Sequence, residues 1–205
     1  MFHVEQFFKK FFPGLDTHQI ILSFSFIEQE YLKWNKVINI SSIRDKDGFW
    51  EKHVLDSLCL ASYLSKNYPG YQIFDVGSGG GFPGLVLAVC LKNEIAMVEP
   101  IKKKTDFIDH CILRLKLSNA KTINSKYEAI REAPEKTLVV SRALGNYKAL
   151  YNHFKSINPK SEFILMTTTE QKHDFRTEYF TEEYDFVNTL TKNSFKNNVL
   201  AKITE

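Results

Sequence analysis

Cysteine is scarce in this chain, with three in 205 residues. Cys59, Cys90 and Cys111 lie far apart among apolar neighbours and form no CxxC pair, which excludes a zinc ribbon and a disulfide framework and suits buried thiols in a reducing compartment. Long apolar runs are also missing. None approaches the ~20 residues that a membrane-spanning helix needs. The Phe-rich start is interrupted by Glu5, Lys9 and Lys10 and no small-residue cleavage site follows, so no secretory leader is expected and the cytoplasm is the expected compartment. Neither charge sign dominates: 27 Lys and Arg stand against 24 Asp and Glu, a net +3 that permits a nucleic-acid partner without arguing for one. Repeats and low-complexity tracts are absent. So is a nucleophile elbow, and so is any Asn/Asp-Pro-Pro-Tyr/Phe segment that would hold an exocyclic amine. No Pro-Cys segment offers a thiol to a pyrimidine ring. An acceptor of any group transferred here must already be nucleophilic.

Glycine is sparse overall but concentrated. Of nine glycines, five fall in residues 77–84, within Ile73-Phe74-Asp75-Val76-Gly77-Ser78-Gly79-Gly80-Gly81-Phe82-Pro83-Gly84. An apolar strand runs into a loop without side chains, and Pro83 opens a helix. Bare backbone N–H groups can there approach a ligand closely. Read from Gly77, the spacing Gly-x-Gly-x-Gly with Asp75 upstream is the S-adenosylmethionine pattern, with Gly77, Ser78 and Gly79 as loop contacts. Read from Gly79 through Gly84, with Glu99 about twenty residues on, it mimics the dinucleotide fingerprint. A carboxylate at Asp75, expected at the pocket mouth, would repel a pyrophosphate and attract the cationic methionine end of S-adenosylmethionine. That favours the methyl donor over a nicotinamide dinucleotide.

Before the loop, residues 2–12, 16–37 and 49–65 read as helices with apolar residues three and four apart. From residue 71 onward strands and helices alternate. Strands are expected at 72–76, 94–98, 120–124, 137–141, 161–166, 183–190 and 197–203, and helices at 82–91, 102–117 and 146–156. The fold class that follows is α/β. It is a Rossmann-like seven-stranded methyltransferase sheet whose last strand is antiparallel, because the link from Leu190 to Lys196 is too short for a helical crossover. Residues 1–67 read as an N-terminal helical extension and 68–205 as the S-adenosylmethionine-binding domain, together one compact unit.

Open α/β sheets bind ligands beyond the carboxyl ends of their strands. There stand Asp75 and Gly77 after the first strand, Glu99 after the second as acceptor for ribose hydroxyls, and Asn124 to Glu128 after the third, near the adenine edge. Ser125 and Glu128 also fit a helix-capping box. Arg142 follows a buried strand and needs a partner there. His53 and Asp56, three apart on one helix face, read either as a hydrogen-bonded pair near the pocket or as a surface pair; no matching third ligand accompanies them, so no metal is expected. Lys102, Lys103 and Lys104 open a helix against its dipole. They read equally as phosphate contacts, with Arg44, Lys46 and Lys52 extending a basic rim, or as a solvated run.

Trp34-Asn35-Lys36-Val37-Ile38-Asn39-Ile40, His53-Val54-Leu55-Asp56-Ser57-Leu58, the loop from Asp75 to Gly84, and Ser141-Arg142-Ala143 follow in an order and spacing that resemble the RsmG (GidB) family of bacterial small-subunit rRNA methyltransferases. The likeness is clear over residues 30–145 and looser elsewhere. It implies methylation of guanine N7 in a conserved loop of 16S rRNA with S-adenosylmethionine as donor. The sequence leaves naked rRNA and the small ribosomal subunit both open as the substrate, and a monomer is expected. It implies cofactor contacts at Gly77, Phe82, Tyr127, Glu128 and Arg142, and places His53 and Asp56 near the cofactor or the guanine. Its departures are Gly80 where the family commonly has proline, Glu99 for a frequent aspartate, and Leu165-Met166-Thr167 where a lysine and glycine are usual, with Lys172 as the candidate substitute. The rival readings are a nicotinamide-dependent oxidoreductase and a non-catalytic rRNA-binding assembly factor.

Overall fold

The computed structural model describes residues 2–142, 145–171, 175–191 and 194–204. Helix α1 (Phe2–Phe11) buries Phe7 and Phe8 completely. Helix α2 (Thr17–Ile38) starts at Asp16, whose side chain accepts from His18 N at 3.1 Å and Gln19 N at 3.3 Å. That satisfies donors that the first turn leaves without partners. The inward face of α2 carries Ile20, Phe24, Ile27 and Tyr31, and the helix ends where Asn39 turns left-handed at φ 54°. A short turn, α3 (Lys46–Gly48), leads into Phe49–Leu55, which is wound as a π-helix, and then into α4 (Asp56–Asn67). The single regular helix expected over 49–65 is therefore π-wound in its first half. Asp56 N bonds Glu51 O five residues back. Such widened turns gather at functional sites, and this one carries His53.

The sheet is built from β1 (Gln72–Val76), β2 (Ile95–Val98), β3 (Ala120–Ile123), β4 (Thr137–Arg142), β5 (Glu162–Thr168), β6 (Thr177–Phe180) and β7 (Asn198–Ile203), in the order β3-β2-β1-β4-β5-β7-β6. Strands β1 to β5 pair in parallel, whereas β7 lies between β5 and β6 and is antiparallel to both. Strand alternation sorts the core into two layers. Ile73, Met97, Leu138, Val140, Ile164 and Leu200 face one way, onto the N-terminal helices, α5 (Gly84–Cys90), α6 (Lys102–Leu115) and α8 (Glu182–Leu190). Phe74, Val98, Val139, Phe163 and Leu165 face the other way, onto Leu150 and Phe154 of α7 (Tyr147–Ile157). Each such buried aliphatic or aromatic side chain contributes about 1.5–3 kcal/mol. The N-terminal helices thus share one continuous core with the sheet.

The C-terminal expectation changes. Residues 183–190, read as a strand, belong to helix α8, and the sixth strand is β6, upstream of it. Tyr184 and Val187 are the buried pair, spaced three apart, and Glu182, Glu183 and Asp185 lie in the first turn, where the helix dipole favours anions. Strand β6 is an edge strand whose residues are half-buried or exposed, so it carries no apolar alternation to read. The last two strands do pair antiparallel, but α8 connects them rather than a hairpin.

Candidate active site

The strand order reverses between β1 and β4, and the glycine loop leaves the sheet at that point, where open α/β sheets place their ligands. Gly77, Gly79 and Gly81 have φ of 74°, 60° and 84°, a region costly to residues with a Cβ. The amides of Gly77 and Ser78 donate to Val98 O at 3.0 and 3.2 Å, so β2 carries the start of the loop. A Cβ on Gly79 would meet nothing nearer than Gly77 O at 3.9 Å, which leaves this backbone open to a ligand. At Gly80 a Cβ would lie 2.3 Å from Ile40 Cγ2; the space a family proline would fill is occupied by the isoleucine that follows α2.

Asp75 is not at the pocket mouth. It is 1 % exposed and lies under the loop, where Oδ2 accepts from Ser78 Oγ at 2.6 Å and Gly84 N at 2.9 Å. Burial pushes its carboxyl up to about 6, against the hydrogen bonds from Ser78 and Gly84. The reason for its inward turn is strand parity: Asp75 shares the face of Ile73 and Met97, and the start of α5 closes over it. Its carboxyl takes the Gly84 amide at the start of α5, so a pyrophosphate there would lack that donor and meet a carboxyl group beneath the loop, which disfavours the dinucleotide reading.

Glu99 is buried as well. Oε2 accepts from Gly79 N at 2.9 Å and Oε1 from Ile101 N at 2.9 Å, so the carboxylate holds the loop from the β2 side. Each oxygen keeps a second lone pair for a ligand hydroxyl. Next to it opens a cleft of about 220 Å³ lined by Val76, Gly77, Val98, Pro100, Tyr127 and Glu128, among others. Apolar walls with a polar rim suit a flat heterocycle on a hydroxylated sugar, and with the open Gly79 backbone they fit the adenosine of S-adenosylmethionine. Tyr127 and Glu128 stand on a single 3-10 turn, Tyr127–Ala129, whose N-terminus has no side-chain cap; Ser125 Oγ donates to Lys126 O, so the expected capping box does not form. Phe82 faces away from this cleft, its ring buried beside Tyr31, Phe49 and His53.

Arg142, at the end of β4, finds the partner its position requires. Nη1 donates to Asp56 Oδ2 at 3.0 Å and Lys52 O at 2.8 Å, and Nη2 donates to His53 Nδ1 at 3.1 Å. His53 and Asp56 are therefore joined through the guanidinium rather than as a pair of their own. Asp56 Oδ1 accepts from Tyr184 OH at 2.8 Å. Burial, helped by the charge of Arg142, drives His53 down to about 3, so its ring is neutral. The ring stacks on Phe82 at 4.4 Å and 13°. A second cleft of about 180 Å³ opens here, lined by Asp56, Arg142, Met166, Thr167, Gln171 and Asn198 among others. Sequence reasoning missed Tyr31, Tyr184 and Asn198. Tyr31 reads only as an apolar stripe position and Tyr184 falls in a segment read as a strand, and nothing in the local pattern shows where their hydroxyls end. Among the lysines, Lys102 pairs with Asp106 while Lys103 is exposed. Ala143, Lys172 and Asn193 lie outside the described residues. No helix among the described residues is long and apolar enough to cross a membrane.

Comparison with known proteins agrees with this geometry. In fold, the chain is similar to a SAM-dependent methyltransferase from Aquifex aeolicus (TM-score 0.52, 14 % identity, 78 % of this chain and 95 % of that one). It is also similar to magnesium protoporphyrin IX methyltransferase from Synechocystis with bound SAM (TM-score 0.53, 12 % identity, 88 % and 95 %). In sequence, it is 38 % identical over 115 residues to the ribosomal RNA small subunit methyltransferase G of Saccharophagus degradans, an alignment covering 56 % of this chain and half of that protein. It is 32 % identical over 161 residues to the protein of that name from Pseudomonas aeruginosa (72 % of each). Against that from Rickettsia prowazekii it is 31 % identical over 153 residues (72 % and 75 %). Residues 23–201 match the family model described as rRNA small subunit methyltransferase G, GidB. The chain belongs to this family of S-adenosylmethionine-dependent rRNA methyltransferases.

Proposed function

We propose that this chain methylates N7 of a guanine in a conserved loop of 16S rRNA, with the donor's adenosine in the cleft beside Glu99 and the guanine in the cleft beside Arg142. The observation that carries this reading is a pair of clefts, one lined by Val76, Gly77 and Val98 at the ends of β1 and β2, the other by Arg142 at the end of the neighbouring β4 with Met166 and Thr167 of β5. When bound, S-adenosylmethionine supplies an electrophilic methyl group on a sulfonium.

Guanine N7 carries a lone pair and no proton at neutral pH, so the chain has no proton to remove. Its residues position and exclude water. The open side of the Gly79 backbone and the carboxylates of Glu99 and Glu128 hold the donor, while the loop amides are spent on Val98, Glu99 and Asp75 and keep the loop in shape. Pre-alignment of two reactants contributes roughly 7–11 kcal/mol in favourable cases. The guanine leaves its stack to enter, at a cost of a few kcal/mol that is smallest for a base in a loop. With rRNA as its substrate the protein works in the cytoplasm, as a monomer.

The experiment is incubation of the protein with labelled S-adenosylmethionine and unmodified 16S rRNA or small subunits, followed by nucleoside analysis. Label recovered in 7-methylguanosine supports the reading. Label in another nucleoside would replace the acceptor, and rRNA binding without transfer would favour an assembly role.

A further inference from the structure

We propose that His53 is a positioning residue: its neutral ring, protonated at Nε2, holds the Arg142 guanidinium at the mouth of the second cleft through Nδ1. The inference rests on the proposed function only for its activity readout.

A guanidinium has donors and no acceptor, so the nitrogen facing it must accept. Nδ1 lies 3.1 Å from Arg142 Nη2. The proton of the neutral ring then belongs on Nε2, which lies 3.2 Å from Tyr31 OH and 3.5 Å from Ser41 Oγ. Tyr31 can take that proton's hydrogen bond because its own hydroxyl donates onward, with Ser41 Oγ and Ile43 O each 2.9 Å away. A line of hydrogen bonds therefore runs from the connection after α2, through Tyr31 and His53, to Arg142 on the sheet edge. Each member fixes the direction of the next. Asp56 balances the charge of Arg142, and Tyr184 OH holds the far oxygen of Asp56 in turn.

The ring's faces matter as well as its nitrogens. Stacking on Phe82 ties its plane to the glycine loop, and the edge contact with Tyr31 at 5.2 Å sets its tilt. His53 thus couples the loop on the donor side to the guanidinium on the acceptor side. Three of the five Arg142 donors go to His53, Asp56 and Lys52 among the described residues. The fork keeps the others for a ligand in the cleft that it lines.

The test has two independent arms. The first is nitrogen NMR of the wild-type protein at neutral pH. A proton on Nε2 and a bare Nδ1 are expected; a proton on Nδ1, or an imidazolium, would overturn the proposal whatever the activity. The second arm compares His53→Phe, which keeps the stack and removes the acceptor, with His53→Asn, whose amide oxygen can replace Nδ1. The expectation for His53→Phe is a kcat loss on the order of a hundredfold, with donor affinity and melting temperature close to wild type and faster rotation of the Arg142 guanidinium. His53→Asn is expected to recover most of the rate and slow that rotation again. If His53→Phe fails to fold, Tyr31→Phe replaces it, with a smaller rate loss and Nδ1 still bare against Arg142. Full activity in a folded His53→Phe, or loss without rescue by Asn, would overturn the proposal. Absence of methyl transfer by the wild-type protein would count against the proposed function and leave the NMR arm standing.

Discussion

Arg142 Nη1 and Asp56 Oδ2 lie 3.0 Å apart across 86 residues of sequence. The pair joins the end of β4 to the first residue of α4, and it forms one wall of the second cleft. Asp56 is buried and Arg142 keeps 23 % of its side chain in solvent. Truncation of Arg142 therefore leaves a buried carboxylate with Tyr184 as its main donor. Arg142→Ala is expected to lower unfolding stability by about 3 kcal/mol, the low end for a broken buried pair because the arginine is partly wet. Methyl transfer is expected to fall further than stability alone explains. Urea denaturation beside a single-turnover assay checks both, and unchanged activity in a folded variant would remove Arg142 from the site.

The buried carboxyl under the loop has a pH signature. In the unfolded chain Asp75 releases its proton near 4, whereas in the fold burial holds it to about 6. Between those values the native state carries a proton that the unfolded state has lost. Its contribution is therefore most favourable below about pH 4 and declines as pH rises to about 6, by about 3 kcal/mol at most. Asp75→Asn cannot titrate. The stability of the wild type relative to this variant is expected to fall between pH 4 and pH 6.5, as measured by denaturant titration. A difference independent of pH would contradict the burial assignment.

Asp75 also separates two roles by substitution. Asn keeps an oxygen for Gly84 N, while Ala leaves both Gly84 N and Ser78 Oγ without their acceptor. Calorimetry with S-adenosylmethionine is expected to find a loss of roughly tenfold or more for Asp75→Ala, the worth of a lost hydrogen bond to a charged group, and a smaller loss for Asp75→Asn. Equal affinity in all three proteins would mean that the loop does not depend on this anchor.

Gly80 and Ile40 form a steric pair that a double-mutant cycle can resolve. The Cβ of Gly80→Ala would lie 2.3 Å from Ile40 Cγ2, and Gly80 is not among the glycines with positive φ. The cost is therefore overpacking, about 1–3 kcal/mol. Ile40→Ala removes the obstructing methyl and pays its own cavity cost. The two changes together are expected to destabilise less than the sum of the singles by at least about 1 kcal/mol. Simple additivity would show that the loop yields without help from Ile40.

The lysines at the start of α6 make a salt-dependence prediction. Lys102 is paired with Asp106, which leaves Lys103 and Lys104 as the stronger candidates for phosphate. If both touch RNA, their joint change to Gln is expected to reduce the magnitude of the log–log salt slope by roughly 1.4, at about 0.7 per phosphate on a single strand. An unchanged slope would make this a solvated face.

The sequence by itself determined the local and periodic features of this protein. The five glycines of residues 77–84, the apolar strands, the alternation of strand and helix that implies a parallel sheet, and the family motifs are all short-range signals. Backbone freedom and hydrophobic period are properties of neighbouring residues, so they can be read along the chain. Even there, a half-exposed edge strand such as β6 leaves no period, and α8 reads as a strand because its buried residues are few.

What only the tertiary structure decided is direction and partnership. Strand parity turned Asp75 under the loop rather than to the pocket mouth. Packing of α2 and α8 against the π-wound segment and α4 brought the hydroxyls of Tyr31 and Tyr184 to His53 and Asp56. The guanidinium of Arg142 came between those two residues because β4 lies beside β1 at the reversal of strand order. Hydrogen bonds hold over a few ångströms in space and carry no memory of sequence distance, so the set of partners around the second cleft existed only once the chain had folded.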